Sequence, residues 1–177
     1  DEPRSLATRY GFAIAAHLAG DSRKGLSGID ALIKKKPRDP YLHEMRGDML
    51  LTLGRPEAAA EAYSRALALH PDEQGLVRAR RGFALLSTGK HANLARAVAD
   101  LRAGIAAEPD NYNAYRELSR AYGQLGEVGK AQLVMAEGNF RAGNTRQAKI
   151  FAARAQQRLQ KGTPGWIRAD DILNVGK

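Results

Sequence analysis

Four glycines, Gly20, Gly54, Gly89 and Gly126, stand 34, 35 and 37 residues apart, and prolines follow them in step at Pro37, Pro71 and Pro109. Glycine accepts the left-handed backbone that closes one helix, and proline cannot continue another. A chain punctuated at one interval over most of its length is confined to stacked helical hairpins, because a single hairpin cannot bury its own apolar face. The expected fold is all-α, a right-handed superhelix of helical hairpins with roughly ten helices.

An interval near 34 is the tetratricopeptide rhythm. The whole chain, 1–177, reads as a single tetratricopeptide-repeat domain. Its units fall at about 5–37, 39–71, 73–109 and 110–143, with an atypical terminal unit at 128–161 and a capping helix at 164–174. In the second unit Gly47, Ala59, Tyr63 and Ala66 take the repeat's small and aromatic positions. Small residues let the two helices of a hairpin approach closely, and Tyr63 is expected to fill the wider gap toward the next unit. In the third unit Pro109 comes 20 residues after Gly89, where the first two units place proline 17 after glycine. Three extra residues therefore lie near 91–94.

The fourth unit opens on Asp110 and Asn111 as caps and runs through Tyr115, Leu118 and Tyr122. No proline closes its second helix, so Gly143 and Asn144 are expected to turn the chain. The helix with Met135 and Phe140 then ends one hairpin and starts another with 145–160. Thr163 and Pro164 open the last short helix as N-cap and first residue. Trp166, the only tryptophan, is expected to pack back and seal the open end, which sets the cost of Trp166→Ala at about 3–5 kcal/mol.

With 177 residues and 44% of them hydrophobic, one domain has enough material for a core. The longest apolar run, 11–20, is far short of the roughly 20 residues of a membrane-spanning helix, so no transmembrane segment is expected. The absence of cysteine excludes thiolate catalysis and cysteine-ligated metals; it suits the periplasm and permits the cytoplasm. No signal peptide is visible, and a chain beginning Asp1-Glu2-Pro3 reads as a piece of a longer protein.

The net charge of +9 and pI near 10 raise nucleic acid, an anionic membrane surface or an acidic peptide as partners. The basic residues are scattered over all units without a recognition motif or a stacking row of aromatics, so nucleic acid is not expected. Lys34, Lys35, Lys36 and Arg38 complement a helix C-terminus, and Arg78, Arg80 and Arg81 on one turn read as a solvated face.

His43-Glu44 begins like a zinc-protease motif, but the second histidine would be needed at position 47, which is Gly47. His17, His70 and His91 belong to different units, and no glycine-rich phosphate loop is present. Neither catalysis nor a cofactor is expected in this chain.

Aligning the units on their glycines puts Tyr10, Ile14 and His17, then Glu44, Asp48 and Leu51, on the concave face of the inner helices. Ala79, Phe83 and Leu86, then Arg116 and Arg120, continue the row. An apolar middle beside two arginines suits an extended or helical peptide bearing an apolar anchor and an acidic group. The lysine and asparagine clamp of cochaperone repeats is missing, since Tyr10, Ile14, Glu44 and Asp48 stand in its places.

Three segments carry a closer resemblance: Asp39-Pro40-Tyr41-Leu42-His43-Glu44-Met45-Arg46-Gly47, Pro109-Asp110-Asn111, and above all Gly162-Thr163-Pro164-Gly165-Trp166-Ile167-Arg168-Ala169-Asp170-Asp171-Ile172-Leu173. The chain resembles the C-terminal repeat domain of periplasmic HtpX-like zinc metallopeptidases, the beta-barrel assembly-enhancing proteases. The resemblance implies a noncatalytic interaction domain in the periplasm, with zinc held in an upstream catalytic domain. It also implies partners among outer-membrane assembly components, unfolded barrel precursors and that protease domain itself. The competing expectation is a free-standing scaffold or cochaperone that binds peptides and is unrelated to proteolysis.

Overall fold

The computed structural model describes residues 5–70 and 75–176. Within them lie ten α-helices: α1 (Leu6–Leu18), α2 (Ser22–Lys35), α3 (Pro40–Thr52), α4 (Pro56–Leu69), α5 (Gly75–Ser87), α6 (Leu94–Ala107), α7 (Tyr112–Gln124), α8 (Val128–Arg141), α9 (Thr145–Gln156) and α10 (Pro164–Asn174). Each helix packs on its neighbours in the chain, as stacked hairpins require. The proline expected at 71 and the helix start expected at Glu73 lie outside the described residues.

The helix starts are written in side chains. Ser5, Asp21, Asp39, Asn111 and Thr163 each accept a hydrogen bond from a backbone N–H in the first turn of the helix that follows, satisfying a donor that the helix itself cannot. The ends are written in backbone geometry. Gly20, Gly54, Gly126 and Gly143 have φ of 90°, 67°, 77° and 75°, and the N–H after each reaches back five residues. Asp21 donates to Ala16, Arg55 to Leu50, Glu127 to Tyr122 and Asn144 to Asn139, all at 2.9 Å. This closure ties off orphan carbonyls and fixes the hairpin angle.

The third hairpin departs from the pattern where its sequence is longer. The Lys90 N–H donates to Thr88 Oγ1 at 3.2 Å, and a 3-10 turn at His91–Asn93 precedes α6, so the extra residues are absorbed before the second helix starts.

Inside a hairpin the helices meet through small residues. A Cβ on Gly47 would lie 2.5 Å from the Tyr63 ring, and one on Gly104 would lie 2.6 Å from Ala79 Cβ. Tyr63 is wholly buried and fills the space over Gly47 of its own hairpin. The ring takes the room that glycine leaves, which lets α3 and α4 approach closely.

The core is continuous from α1 to the middle of α8, where Ala131 and Val134 join it. Ala136 on α8 begins a second cluster with Ala148, Ala152, Ala155, Ala169 and Ile172. α8 thus packs on both α7 and α9. α9 stops at Gln156, short of the expected 160, and the turn that follows drops Leu159 onto Gly129 and the second cluster.

Trp166 is not the seal of this end. The core-facing stripe of α10 is Gly165, Ala169, Ile172 and Leu173, and Trp166 lies half-buried beside that stripe and outside the cluster. Successive residues on a helix point about 100° apart, and here Gly165 is turned onto Leu133 and Leu159 while Trp166 falls at the edge of the stripe. Ile172→Ala is expected to destabilise the protein by about 2–5 kcal/mol, with a smaller effect from Trp166→Ala. Urea unfolding followed by circular dichroism orders the two; a larger loss at Trp166 would return the seal to the tryptophan.

Candidate functional site

The first helices of successive hairpins, α1, α3, α5 and α7, carry the residues expected on the concave face. Their side chains divide into three groups. At the N-terminal end, Tyr10 is half-buried, and its hydroxyl is pushed above the ordinary phenol range by burial, with the negative charges of Glu44, Asp39 and Asp48 adding to it. Ile14 and Leu51 pack against the core, and His17 is turned to the hairpin tip, where its Nδ1 meets Ser22 Oγ at 2.8 Å.

Glu44 and Asp48 form the second group, and they are already engaged. Arg80 of α5 donates from Nη1 to Glu44 Oε1 at 2.6 Å and to Asp48 Oδ2 at 2.9 Å. The Tyr63 hydroxyl donates to Asp48 Oδ1 at 2.6 Å. Arg81, next along α5, points to the other side and forms a two-pronged pair with Asp100, both contacts at 2.7 Å. Asp100 is almost fully buried. Arg80 and Arg81 are therefore not a solvated face: each neutralises carboxylates that partial burial would otherwise penalise. A basic run in sequence becomes internal ties because successive residues on a helix point about 100° apart.

The third group is open. Phe83 is 36% exposed, with the Arg120 guanidinium 5.9 Å from its ring centroid, a cation–π approach. Arg120 also pairs with Glu117 at 3.1 Å. Arg116 is exposed one turn away. Leu86, expected in this row, is 2% exposed and belongs to the core, as does Ala79. Three residues along a helix turn the direction by about 60°, enough to carry Leu86 inside while Phe83 stays out.

Two exposed groups were missed in the sequence. Tyr41 separates two open depressions. One, of about 380 Å³, is lined by Leu6, Ala7, Tyr10 and Leu42; the other, of about 450 Å³, by Glu44, His70, Leu76 and Val77. Tyr41 and Leu76 stand three residues before Glu44 and Ala79, so the helical period could have found them. Among the described residues no three metal-ligating side chains gather, and no helix is long and apolar enough to cross a membrane.

The Arg80 tie yields two expectations. Arg80→Ala removes a cation shared by Glu44 and Asp48 and, the pair being partly exposed, should cost about 1 kcal/mol or less, measured by urea unfolding. Burial, with the charge of Asp48 adding to it, holds the Tyr63 phenol above its usual range. The folded state thus binds that proton more tightly than the unfolded chain, and the contribution is intact below about pH 10 and lost above it. Tyr63→Phe should flatten the alkaline fall in stability; an unchanged fall would remove Tyr63 from its cause.

Comparison with known proteins bears on the fold. Residues 10–73 match the tetratricopeptide repeat family. No curated protein matches the sequence. MamA 41-end from Desulfovibrio magneticus RS-1 is 17% identical, with a TM-score of 0.73 over 98% of this chain and 96% of that one. TTC0263, a thermophilic TPR protein in Thermus thermophilus, is 18% identical, with a TM-score of 0.60 over 96% and 99%. YrrB, described as a TPR protein with an unusual peptide-binding site, is 14% identical, with a TM-score of 0.69 over 95% and 86%. The repeat period, the glycine-closed hairpins and these likenesses agree: the chain is an all-α tetratricopeptide-repeat superhelix, a fold that offers an extended concave surface to other proteins and peptides.

Proposed function

We propose that the concave face is a peptide-binding groove with a built-in polarity, and that the chain works as a noncatalytic docking module. The observation that carries this reading is the position of Arg80. By engaging Glu44 and Asp48, it ties up two carboxylates of the N-terminal part of the face. The C-terminal part has two arginines, Arg116 and Arg120, against Glu117. A bound segment would place an apolar anchor near Tyr41, Leu76 and Phe83 and an acidic side chain or terminal carboxylate at the arginines, where guanidinium geometry favours two-pronged contacts.

The partner that fits this role best is suggested by the closing segment 162–173, whose likeness to the periplasmic HtpX-like metallopeptidases supports a place in such an enzyme. The array would dock the protease on outer-membrane assembly components or unfolded barrel precursors, or fold its groove against the zinc-bearing catalytic domain. YrrB, a structural neighbour described as having a peptide-binding site, supports the peptide-binding part of the reading.

Photoreactive residues at Phe83 and Arg116 in the full-length native protein, with captured proteins identified by mass spectrometry, test the proposal. Capture of assembly components or barrel precursors is the expected result. Capture of the protein's own catalytic domain alone would make the groove autoregulatory, and no capture at either position would sink it. Combining Arg116→Glu with Arg120→Glu should weaken any acidic peptide that the groove binds by about tenfold or more, measured by fluorescence anisotropy.

A further inference from the structure

The net charge of +9 concentrates in one place once the paired cations are set aside. Arg46, Arg80, Arg81, Lys90, Lys130 and Arg168 each meet a carboxylate. Arg23, Lys34 and Arg55 are exposed and make no ion pair among the described residues. All three line a single open depression of about 700 Å³, between α2 and the turn that joins α3 to α4. Leu26 and Leu53 are among its walls. Both sides belong to hairpins that are present in full, so the opening does not depend on where the array starts.

Arg23 and Lys34 stand 11 residues apart on α2, about three turns, so they face the same way roughly 16 Å apart along the axis. Arg55 comes to the same depression from the next hairpin. The acids nearby are engaged. Asp30, which also lines the depression, accepts from Arg46 Nε at 2.8 Å. Asp21 accepts from the Lys24 N–H at 3.0 Å as the cap of α2, and Glu57 pairs with Lys90 at 3.4 Å. Stability does not account for the three cations. Arg23 is the second residue of α2, and Arg55 is the N-cap of α4 without a side-chain capping bond. The helix dipole disfavours a cation at either place, and a local rule broken without an internal gain marks a position kept for function.

We propose that this depression binds phosphate groups, borne by a lipid headgroup or by a soluble polyphosphate. Its walls carry three cations and one acid that is already paired, a field of one sign that suits a multiply charged anion. The planar guanidiniums of Arg23 and Arg55 match phosphate oxygens in two-pronged contacts. A single carboxylate would leave most of the charge uncompensated. The site shares no residue with the concave face and stands whether or not that face binds peptides.

Calorimetric titration of the 177-residue chain with inorganic tripolyphosphate tests this, together with flotation on phosphatidylcholine vesicles made with and without phosphatidylglycerol. Binding of tripolyphosphate, or flotation that requires phosphatidylglycerol, is the expected result, and the vesicle arm separates a lipid source from a soluble one. Arg23→Gln combined with Lys34→Gln and Arg55→Gln should weaken that binding by about tenfold or more, with circular dichroism reporting that the variant folds. Arg146→Gln combined with Arg158→Gln and Lys161→Gln removes the same charge elsewhere and should weaken it far less. No binding in either arm, or an equal loss in the two variants, would overturn the proposal. Equally tight binding of a hexaglutamate peptide would also overturn it, assigning the depression to acidic protein segments.

Discussion

Everything in this array depends on how closely two helices can approach. At Gly47 and Tyr63, Gly82 and Leu101, Gly104 and Ala79, and Gly138 and Tyr115, a Cβ on the glycine would lie within 2.8 Å of an atom across the hairpin. At each contact a side chain of one helix takes the room that glycine leaves on the other, which packs the interior densely. From that separation follow the burial of Tyr63, the position of its hydroxyl beside Asp48 and the reach of Arg80 from the next hairpin. The polar ties of the concave face are thus downstream of a packing decision made by glycine.

Much of the fold was legible because repeats write local rules many times. Glycines at a fixed interval mark the same closure in hairpin after hairpin, and an isolated error in one unit is corrected by its neighbours. The candidate face was less legible, and the reason is range. Arg80 meets Glu44 across 36 positions and Arg81 meets Asp100 across 19, so neither pair leaves a short-range signature. Three arginines crowded at 78–81 look like surface until the helices are placed, and Leu86 looks like groove until a turn of about 60° is counted. The tryptophan misled for another reason: its size suggested a plug, whereas the alanine-lined end admits α10 through Ala169 and Ile172.

The internal ion ties bear on specificity more than on raw stability. Partly exposed pairs contribute little by themselves, but a carboxylate held by an arginine of the same chain is poorly available to an arriving cation. The concave face advertises the charges that remain, and its preference is set as much by which residues are paired off as by which are present.

The helix α8 serves two clusters at once, Ala131 and Val134 on one side and Ala136 on the other. In a simple solenoid the last hairpin can fray while the rest persists, because each unit touches only its neighbours. Here no clean seam separates the end from the body, since the same helix belongs to both. Opening at the C-terminus that reaches α8 therefore disturbs the main core as well, which couples the fate of α7, α8 and α9. A module pulled on by its partners would yield there in one step, like a latch, and not by gradual unzipping.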